Sequence, residues 1–143
     1  MAKLTSYCMV GLFSLLSSAA FAADPMMNGE LFGIMSKNKK VTDDYCKSHV
    51  LDTYQGTVSQ IDKGEVTAKN GVKAKNMSNT VKEQGGVYLF NGVAMLSGED
   101  NGKAWKEKAH YFGQSLMKEG GMEQGVWYTK DCKGFYKVTP ANE

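Results

Sequence analysis

Residues 125–138, GVWYTKDCKGFYKV, place one cysteine between two aromatic-rich runs. The segment Asp131-Cys132-Lys133-Gly134 has the composition of a type I turn, with a glycine to supply a positive φ. Aromatic-rich runs on both sides of such a turn are typical of paired strands. The stretch therefore predicts a C-terminal β-hairpin with Cys132 at its tip.

The start of the chain has the features of an export signal. A positively charged start is followed by an apolar run at residues 9–16, MVGLFSLL, and Ala20-Phe21-Ala22 matches the cleavage pattern of a secretory leader. The apolar run is too short to cross a bilayer, which takes about 20 residues. We expect residues 1–22 to be a signal peptide cleaved after Ala22. Residues 23–143 would then be one mature periplasmic domain that is not inserted in the membrane.

Removal of this leader would take Cys8 with it and leave two cysteines, Cys46 and Cys132. An even number of cysteines in an exported chain indicates a disulfide, which we expect to join these two residues. Because the bridge would close most of the mature chain into one loop, the chain-entropy model gives it roughly 4–5 kcal/mol. The alternative, a catalytic thiol, needs an activating histidine or a helix N-terminus. Lys130 and Lys133 could lower the pKa of such a thiol, but no histidine is near Cys132 in the sequence.

Hydrophobic periodicity predicts an α+β fold that is mainly helical, in a single small domain. We expect a short helix at residues 29–37 and a longer helix from Thr42 or Asp43 to Gly64. Apolar side chains on the longer helix recur at spacings of three and four, which indicates one buried face. That face would contain Cys46, Val50, Tyr54, Thr57, Val58 and Ile61. The disulfide would then tie the C-terminal β-hairpin to the first turn of this helix.

Three further segments complete the predicted fold. Asn70-Gly71 between short alternating runs predicts a β-hairpin, with a mobile loop as the alternative because its apolar residues are small. Residues 78–96, the most apolar part of the mature chain, favour a helix whose glycines allow close packing, with a buried strand at VYLF as the alternative. Residues 103–118 predict an amphipathic helix. Its inner face would contain Trp105, Ala109, Phe112 and Leu116.

Composition and motifs argue against several classes of function. The chain has 17 lysines, no arginine and 15 acidic residues, and because arginine is preferred for phosphate and guanine contacts we expect no nucleic-acid partner. His49 and His110 belong to no zinc or haem motif, and the methionines are dispersed, so we expect no metal and no cofactor. The sequence has no nucleophile elbow, Walker loop or convincing triad, and its paired acids are close in sequence rather than set across a cleft. We therefore assign no catalytic residue and expect that the protein is not an enzyme.

A small exported domain without a catalytic motif is typically a binding protein. Two regions offer candidate partner-binding residues. One is the acidic loop at Glu99, Asp100 and Asn101, and the other is the C-terminal hairpin with Trp127 and Tyr128. Because side chains alternate along a strand, either Trp127 or the pair Val126 and Tyr128 faces outward. Aromatic residues on rigid elements are frequent interface anchors.

The chain resembles the small periplasmic immunity proteins of bacterial type VI secretion systems. The resemblance covers the whole chain and rests on four features: the MAKL…AAFA-ADP start, Cys46 at a helix start, Cys132 before an aromatic C-terminal segment, and the helical middle. It implies a protein that binds and neutralises an effector that cuts the cell wall or lipids. The chain is also similar to periplasmic inhibitors of lysozyme, but the cysteine-containing loop motifs of that group do not map onto these residues.

We therefore expect an immunity protein that binds a toxic effector one to one and occludes its active site. A peptidoglycan hydrolase, first of all a muramidase, is the expected target because its substrate lies in the periplasm. A homodimer is compatible with the sequence. Alternative functions are a periplasmic protein that binds a small ligand or a metal, and a small cell-envelope hydrolase.

Overall fold

The computed structural model describes residues 24–141, which are mostly β-strand. The predicted signal peptide, residues 1–22, lies outside the described residues. Eight strands are present in this part of the chain: β1 (Met26–Ser36), β2 (Thr53–Thr57), β3 (Glu65–Thr67), β4 (Lys73–Gln84), β5 (Val87–Asp100), β6 (Lys103–Ser115), β7 (Glu123–Tyr128) and β8 (Cys132–Pro140). Two short helices accompany them, α1 (Asp43–Ser48) and α2 (Val58–Lys63). The prediction of a mainly helical fold is therefore wrong.

All eight strands form one antiparallel sheet with the order β2-β1-β8-β7-β6-β5-β4-β3. The sheet curls until its two edges, β2 and β3, nearly meet. Next to this seam the Lys69 N–H donates a hydrogen bond to the Thr53 carbonyl oxygen at 2.8 Å. On β2, Gly56 lies against Val66 of β3, so closely that an added Cβ would stand 3.1 Å from a Val66 methyl group. The sheet is thus barrel-like and almost closed.

Two glycine-containing pairs form the tight turns at the two ends of β5, in the region where helices are predicted. Gly85-Gly86 joins β4 to β5 with φ values of 61° and 82°, and Asn101-Gly102 joins β5 to β6 with φ values of 51° and 79°. Positive φ at both central residues is what a two-residue type I′ hairpin turn requires. Residues 78–96 therefore form a hairpin rather than a helix. The alternative of a buried strand at VYLF is correct as to the strand, but of its four residues only Phe90 is buried.

The predicted helix at residues 103–118 is instead strand β6, and the parity of its spacings explains the error. Trp105 and Ala109 are four residues apart, which places them on one face of either a helix or a strand. Phe112 is an odd number of residues from both, so on a strand it faces the opposite way and is exposed. Leu116 follows the end of the strand and is 79% exposed. Only the first two residues of the predicted inner face point to the interior.

The prediction also contains too much helix between residues 29 and 64. Residues 29–37 lie almost entirely within strand β1. The helix predicted between Thr42 and Gly64 is real at both ends, because Thr42 caps α1 and Gly64 ends α2. Strand β2 interrupts it. The hairpin at Asn70-Gly71 is confirmed, with the Ala68 N–H donating to the Val72 carbonyl oxygen at 2.8 Å.

Inside the barrel-like sheet, large rings lie over glycines of other strands. Tyr54 covers Gly29 and Tyr111 covers Gly92, while the hydroxyl end of Tyr136 covers Gly113. A Cβ added to any of these three glycines would overlap the tyrosine. The glycines therefore leave the volume that the interior rings fill, which lets a strongly curved sheet have a packed interior.

The C-terminal hairpin and the disulfide are both confirmed. Strands β7 and β8 pair antiparallel, and the three residues 129–131 connect them, so the turn comes earlier than predicted and Gly134 lies within β8. Cys132 begins β8 and is bonded to Cys46 of α1, with the two Cα atoms 5.6 Å apart. Both cysteines are fully buried. The bridge holds α1 against β1 and β8 at one end of the sheet.

The two helices found in residues 24–141 have six residues each, and neither could span a membrane.

Candidate functional site

A row of apolar side chains crosses the outer face of the sheet. Phe32 on β1 is the register partner of Phe135 on β8, which pairs with Val126 on β7, which pairs in turn with Phe112 on β6. These four side chains are 42–49% exposed. With neighbouring strands about 4.8 Å apart, the row is roughly 14 Å long. We call these four residues together with Tyr128 the aromatic surface.

The rings of the aromatic surface are ordered by contacts among themselves. Phe32 and Phe135 stack with ring centroids 5.8 Å apart. Tyr128 stacks on His110 at 5.0 Å and lies 6.3 Å from Phe112 in a nearly parallel orientation. Because the rings are held on paired strands, little side-chain entropy remains to be lost when a partner covers them.

Lysines border the aromatic surface. The Lys37 ammonium group lies 5.0 Å from the centre of the Tyr128 ring, a cation–π arrangement, and donates a hydrogen bond to the Thr129 carbonyl oxygen at 2.9 Å. Lys133 is the register partner of Tyr128, and Lys137 lies two residues further along β8 from Phe135. Glu30, the exposed register partner of Lys137, contributes one negative charge against these three lysines, so the border is positive on balance beside an apolar centre.

The predicted partner-binding residues of the hairpin separate onto two faces. Trp127 is 3% exposed and its indole N–H donates to the Phe135 carbonyl oxygen at 3.0 Å, so it lies in the interior. Tyr128 and Val126 face outward, which was the alternative that the alternation allowed. Tyr128 is thus the one predicted contact residue that belongs to the aromatic surface.

The predicted acidic loop lies far from the aromatic surface. Glu99 and Asp100 end β5, and Asn101 forms the turn into β6. Phe112 is nine residues beyond the start of β6, about 30 Å along a strand, and Tyr128 pairs with His110, which is seven residues beyond that start, about 23 Å. The two regions therefore do not form one continuous surface.

Asp100 is already engaged within the protein. Its carboxylate lies 2.5 Å from Nε2 of His49, whose Nδ1 lies 2.8 Å from the Tyr45 carbonyl oxygen. The His49 ring is stacked on Tyr45 at 3.8 Å and contacts Trp105 at 4.8 Å. These contacts hold the end of α1 against the β5–β6 turn, so Asp100 has a structural role.

A second candidate site is a cavity of about 150 Å³ inside the barrel-like sheet. Its mouth lies between α2 and the β6–β7 loop, residues 116–122. Most of its wall is apolar and includes Met27, Leu31, Phe90, Leu96, Ala109 and Val138. On one side the wall is polar.

The polar wall is centred on Glu123. Its carboxylate accepts a hydrogen bond from the Tyr136 hydroxyl group. Burial raises the pKa of Glu123 above its ordinary value despite this hydrogen bond, and the nearby charge of Asp62 acts in the same direction. Burial also raises the pKa of Asp62, with Glu119 as a further cause. Three acids thus lie near one another at the mouth and on the wall of the cavity.

Neighbouring side chains extend this polar wall. Burial raises the pKa of Tyr111 to about 12, and its hydroxyl group donates to Oδ1 of Asn76 at 3.0 Å. Asn76 in turn donates to the Asp62 carbonyl oxygen at 3.1 Å. A β-bulge between Asn76 and Ser78 lets Asn79 face the cavity as well. Among residues 24–141, the Oδ1 atom of Asn79 is the buried side-chain polar atom that has no hydrogen-bond partner.

Most members of both sites are not predicted from the sequence. Phe112 and Phe135 become recognisable as outward-facing only when strand periodicity is applied to their segments. Asp62 and Glu123 are far apart in the sequence and belong to no motif. They come together because α2 lies at the end of the sheet where β7 begins.

Within the described part of the chain, no group of three or more His, Cys, Asp or Glu side chains is arranged to hold a metal ion. Comparison of the chain with protein-family models, with curated proteins and with solved structures finds no match.

Proposed function

We propose that this protein is an exported binding protein that holds a partner protein against its aromatic surface. In this proposal it acts as an immunity protein: it binds a peptidoglycan hydrolase, most simply a muramidase, and occludes the active site of that enzyme. The observation that carries the proposal is the registered row of exposed apolar residues across β1, β8, β7 and β6.

Such a row is unusual on a protein that acts alone. Contiguous exposed apolar patches on soluble proteins commonly mark interaction sites. Aromatic residues are enriched at protein interfaces, and those near the centre of the buried area contribute most of the binding energy. Phe135 and Phe112 lie on either side of Val126, and Phe112 also lies beside Tyr128, so we expect these two phenylalanines to be the main anchors.

The charge around the row favours an acidic partner. Lys37, Lys133 and Lys137 border the apolar centre. Glycoside hydrolases use a pair of carboxylic side chains on either side of the scissile bond, which makes their clefts negative. An apolar surface with lysines at its edge complements such a cleft in charge. The enzyme would be inhibited because the barrel-like sheet blocks access of the glycan to the two acids.

The disulfide supports export. Disulfides persist in oxidising compartments, and Cys46–Cys132 is deeply buried. Within this proposal the compartment is the periplasm and the leader is residues 1–22. Sequencing the N-terminus of protein recovered from the periplasm tests this part, and an intact Met1 would contradict it.

The test of the proposal uses a double substitution, Phe112→Ser with Phe135→Ser. A toxin encoded beside this gene is purified, and its binding is measured by calorimetry together with its hydrolysis of peptidoglycan. We expect one-to-one binding and inhibition by the natural protein, and about 100-fold weaker binding by the double variant, because each anchor removed from an interface centre costs about 1–2 kcal/mol or more. The matched control is Met77→Ser, which removes an exposed apolar side chain on β4, outside the aromatic surface.

Two results would refute the proposal. One is binding by the double variant that is as tight as that of the natural protein. The other is self-association of the natural protein that the double variant loses, since the surface would then join two copies of this chain. Circular dichroism of both variants shows that they remain folded, which we expect because the substituted side chains are exposed.

A further inference from the structure

The interior cavity is separate from the aromatic surface. Phe135 and Tyr136 are neighbours on β8, yet Phe135 points outward and Tyr136 points into the cavity. The cavity has a volume of about 150 Å³. An apolar cavity of that size accommodates a molecule with the bulk of a single six-membered ring.

The polar side of the cavity offers mainly hydrogen-bond acceptors. Within residues 24–141, Oδ1 of Asn79 is buried and has no hydrogen-bond partner, which is unfavourable for such an atom. In the same part of the chain, the Glu123 carboxylate accepts a hydrogen bond from one protein donor, the Tyr136 hydroxyl group. Asp62 adds a second, half-buried carboxylate at the mouth.

The charge at this end of the cavity is negative. Lys118 and Glu119 are consecutive residues of the β6–β7 loop at the cavity rim, so their charges offset each other. Asp62 and Glu123 remain as the excess charge beside the apolar wall. A group that fits here donates hydrogen bonds, accepts none and carries a positive charge, and a primary ammonium group has those three properties.

We infer that the cavity is a binding site for a small apolar amine, whose ring or branched body lies against Met27, Phe90 and Val138 while its ammonium group faces Glu123, Asp62 and Oδ1 of Asn79. The apolar body gains from leaving water, and the ammonium group satisfies acceptors that are otherwise shielded from solvent. The inference does not depend on the proposed inhibition of a hydrolase.

The test uses three probes that share one ring and differ in the polar group: benzylamine, benzyl alcohol and benzoate. Binding to the complete mature protein is measured by calorimetry and by chemical shifts of the interior tyrosines at neutral pH. We expect benzylamine to bind, benzyl alcohol to bind at least ten-fold more weakly, and benzoate not to bind. Equal or tighter binding of benzyl alcohol or benzoate would overturn the inference, and so would a failure of benzylamine to bind.

Two variants locate the site. Glu123→Gln keeps the shape of the side chain and an acceptor for the Tyr136 hydroxyl group, but removes the charge, so we expect at least ten-fold weaker binding of benzylamine. Glu65→Gln removes an exposed charge from β3, outside the cavity, and should leave the affinity unchanged. An equal loss in both variants would mean that the amine is held by the general charge of the protein, which contradicts the inference. The Phe112→Ser, Phe135→Ser protein should still bind benzylamine, so this result is independent of the toxin experiment.

Discussion

Removal of the Cys46–Cys132 disulfide should strongly destabilise the protein. The bond closes a loop with a sequence separation of 86 residues. The chain-entropy model gives a loop of that length about 4.6 kcal/mol at 25 °C. Domains of this size have a total stability of about 5–15 kcal/mol, so the reduced protein should be only marginally folded.

The effect can be measured as a change in melting temperature. About 120 residues unfold with an entropy of roughly 0.25 kcal/mol per kelvin near the melting point, so a loss of 4.6 kcal/mol corresponds to a decrease of about 18 °C. Thermal unfolding followed by circular dichroism should show this decrease for Cys46→Ala, for Cys132→Ala and for the protein with both substitutions. It should also appear when the natural protein is treated with a strong reductant.

The comparison between single and double variants is the decisive part. If the two sulfur atoms are bonded, either substitution removes the whole bridge, and the double variant should be hardly less stable than each single one. Two single effects that add up in the double variant would show that the cysteines contribute independently, and would refute the reasoning. A decrease of less than about 5 °C on reduction would refute it as well.

Three further predictions concern the interior residues Gly113 and Glu123 and the contact of Asp100 at the β5–β6 turn. Gly113→Ala should lower the free energy of unfolding in urea by about 1–3 kcal/mol, because the added Cβ would overlap the Tyr136 hydroxyl group. The loss should be smaller when Tyr136 is also changed to Phe. An equal loss in both backgrounds would contradict the contact. The pKa of Glu123 is raised in the folded protein, so its charge opposes folding and stability should fall as pH rises from about 4 to 7. Glu123→Gln should be more stable than the natural protein at pH 7 and should have a smaller pH slope, whereas identical slopes would mean that the group is not buried. Asp100→Asn should lower the free energy of unfolding by no more than about 1 kcal/mol, because the carboxylate that faces His49 is half exposed. A decrease of the melting temperature by more than about 8 °C would contradict this.

Some features of the fold were accessible from the sequence because they depend on local chemistry. The Asn70-Gly71 turn, the cap at Thr42 and the end at Gly64 each follow from the conformations that their own residues prefer. The disulfide follows from pairing the two cysteines that remain once the predicted signal peptide is set aside. The C-terminal hairpin follows from its aromatic strands, although the turn itself lies earlier than the glycine suggested.

The sheet was missed because its evidence is spread along the chain. Trp105 and Ala109 fit a helix as well as a strand, and only the outward position of Phe112 distinguishes the two structures. The glycines from which close helix packing is predicted over residues 78–96 have two other roles: Gly85 forms a turn, and Gly92 leaves room for the Tyr111 ring. Each pairing of an interior ring with a glycine joins different strands, so hydrophobic periodicity within one segment cannot reveal it.

The candidate sites were less predictable than the fold. Tyr128 could be proposed as an exposed aromatic residue from the alternation along β7. The rest of the aromatic surface needed the register of four strands, and the cavity needed the full curvature of the sheet. In the sequence alone, Asp62 and Glu123 cannot be distinguished from ordinary surface acids, because the sequence shows neither their burial nor the tyrosines around them.

The seam between β2 and β3 has a consequence for solubility. These two strands border the sheet, yet they follow each other in the chain with only α2 between them, so bringing them together costs little loop entropy. An open sheet of eight strands would offer two rows of unpaired backbone groups to neighbouring molecules, and such edges promote intermolecular pairing and aggregation. Here the edge strands have five and three residues and lie against each other. The two short edge strands are therefore shielded from strand addition, and among the described residues the edge open to a neighbouring molecule is the outer side of β4 over residues 76–84, which β3 does not pair.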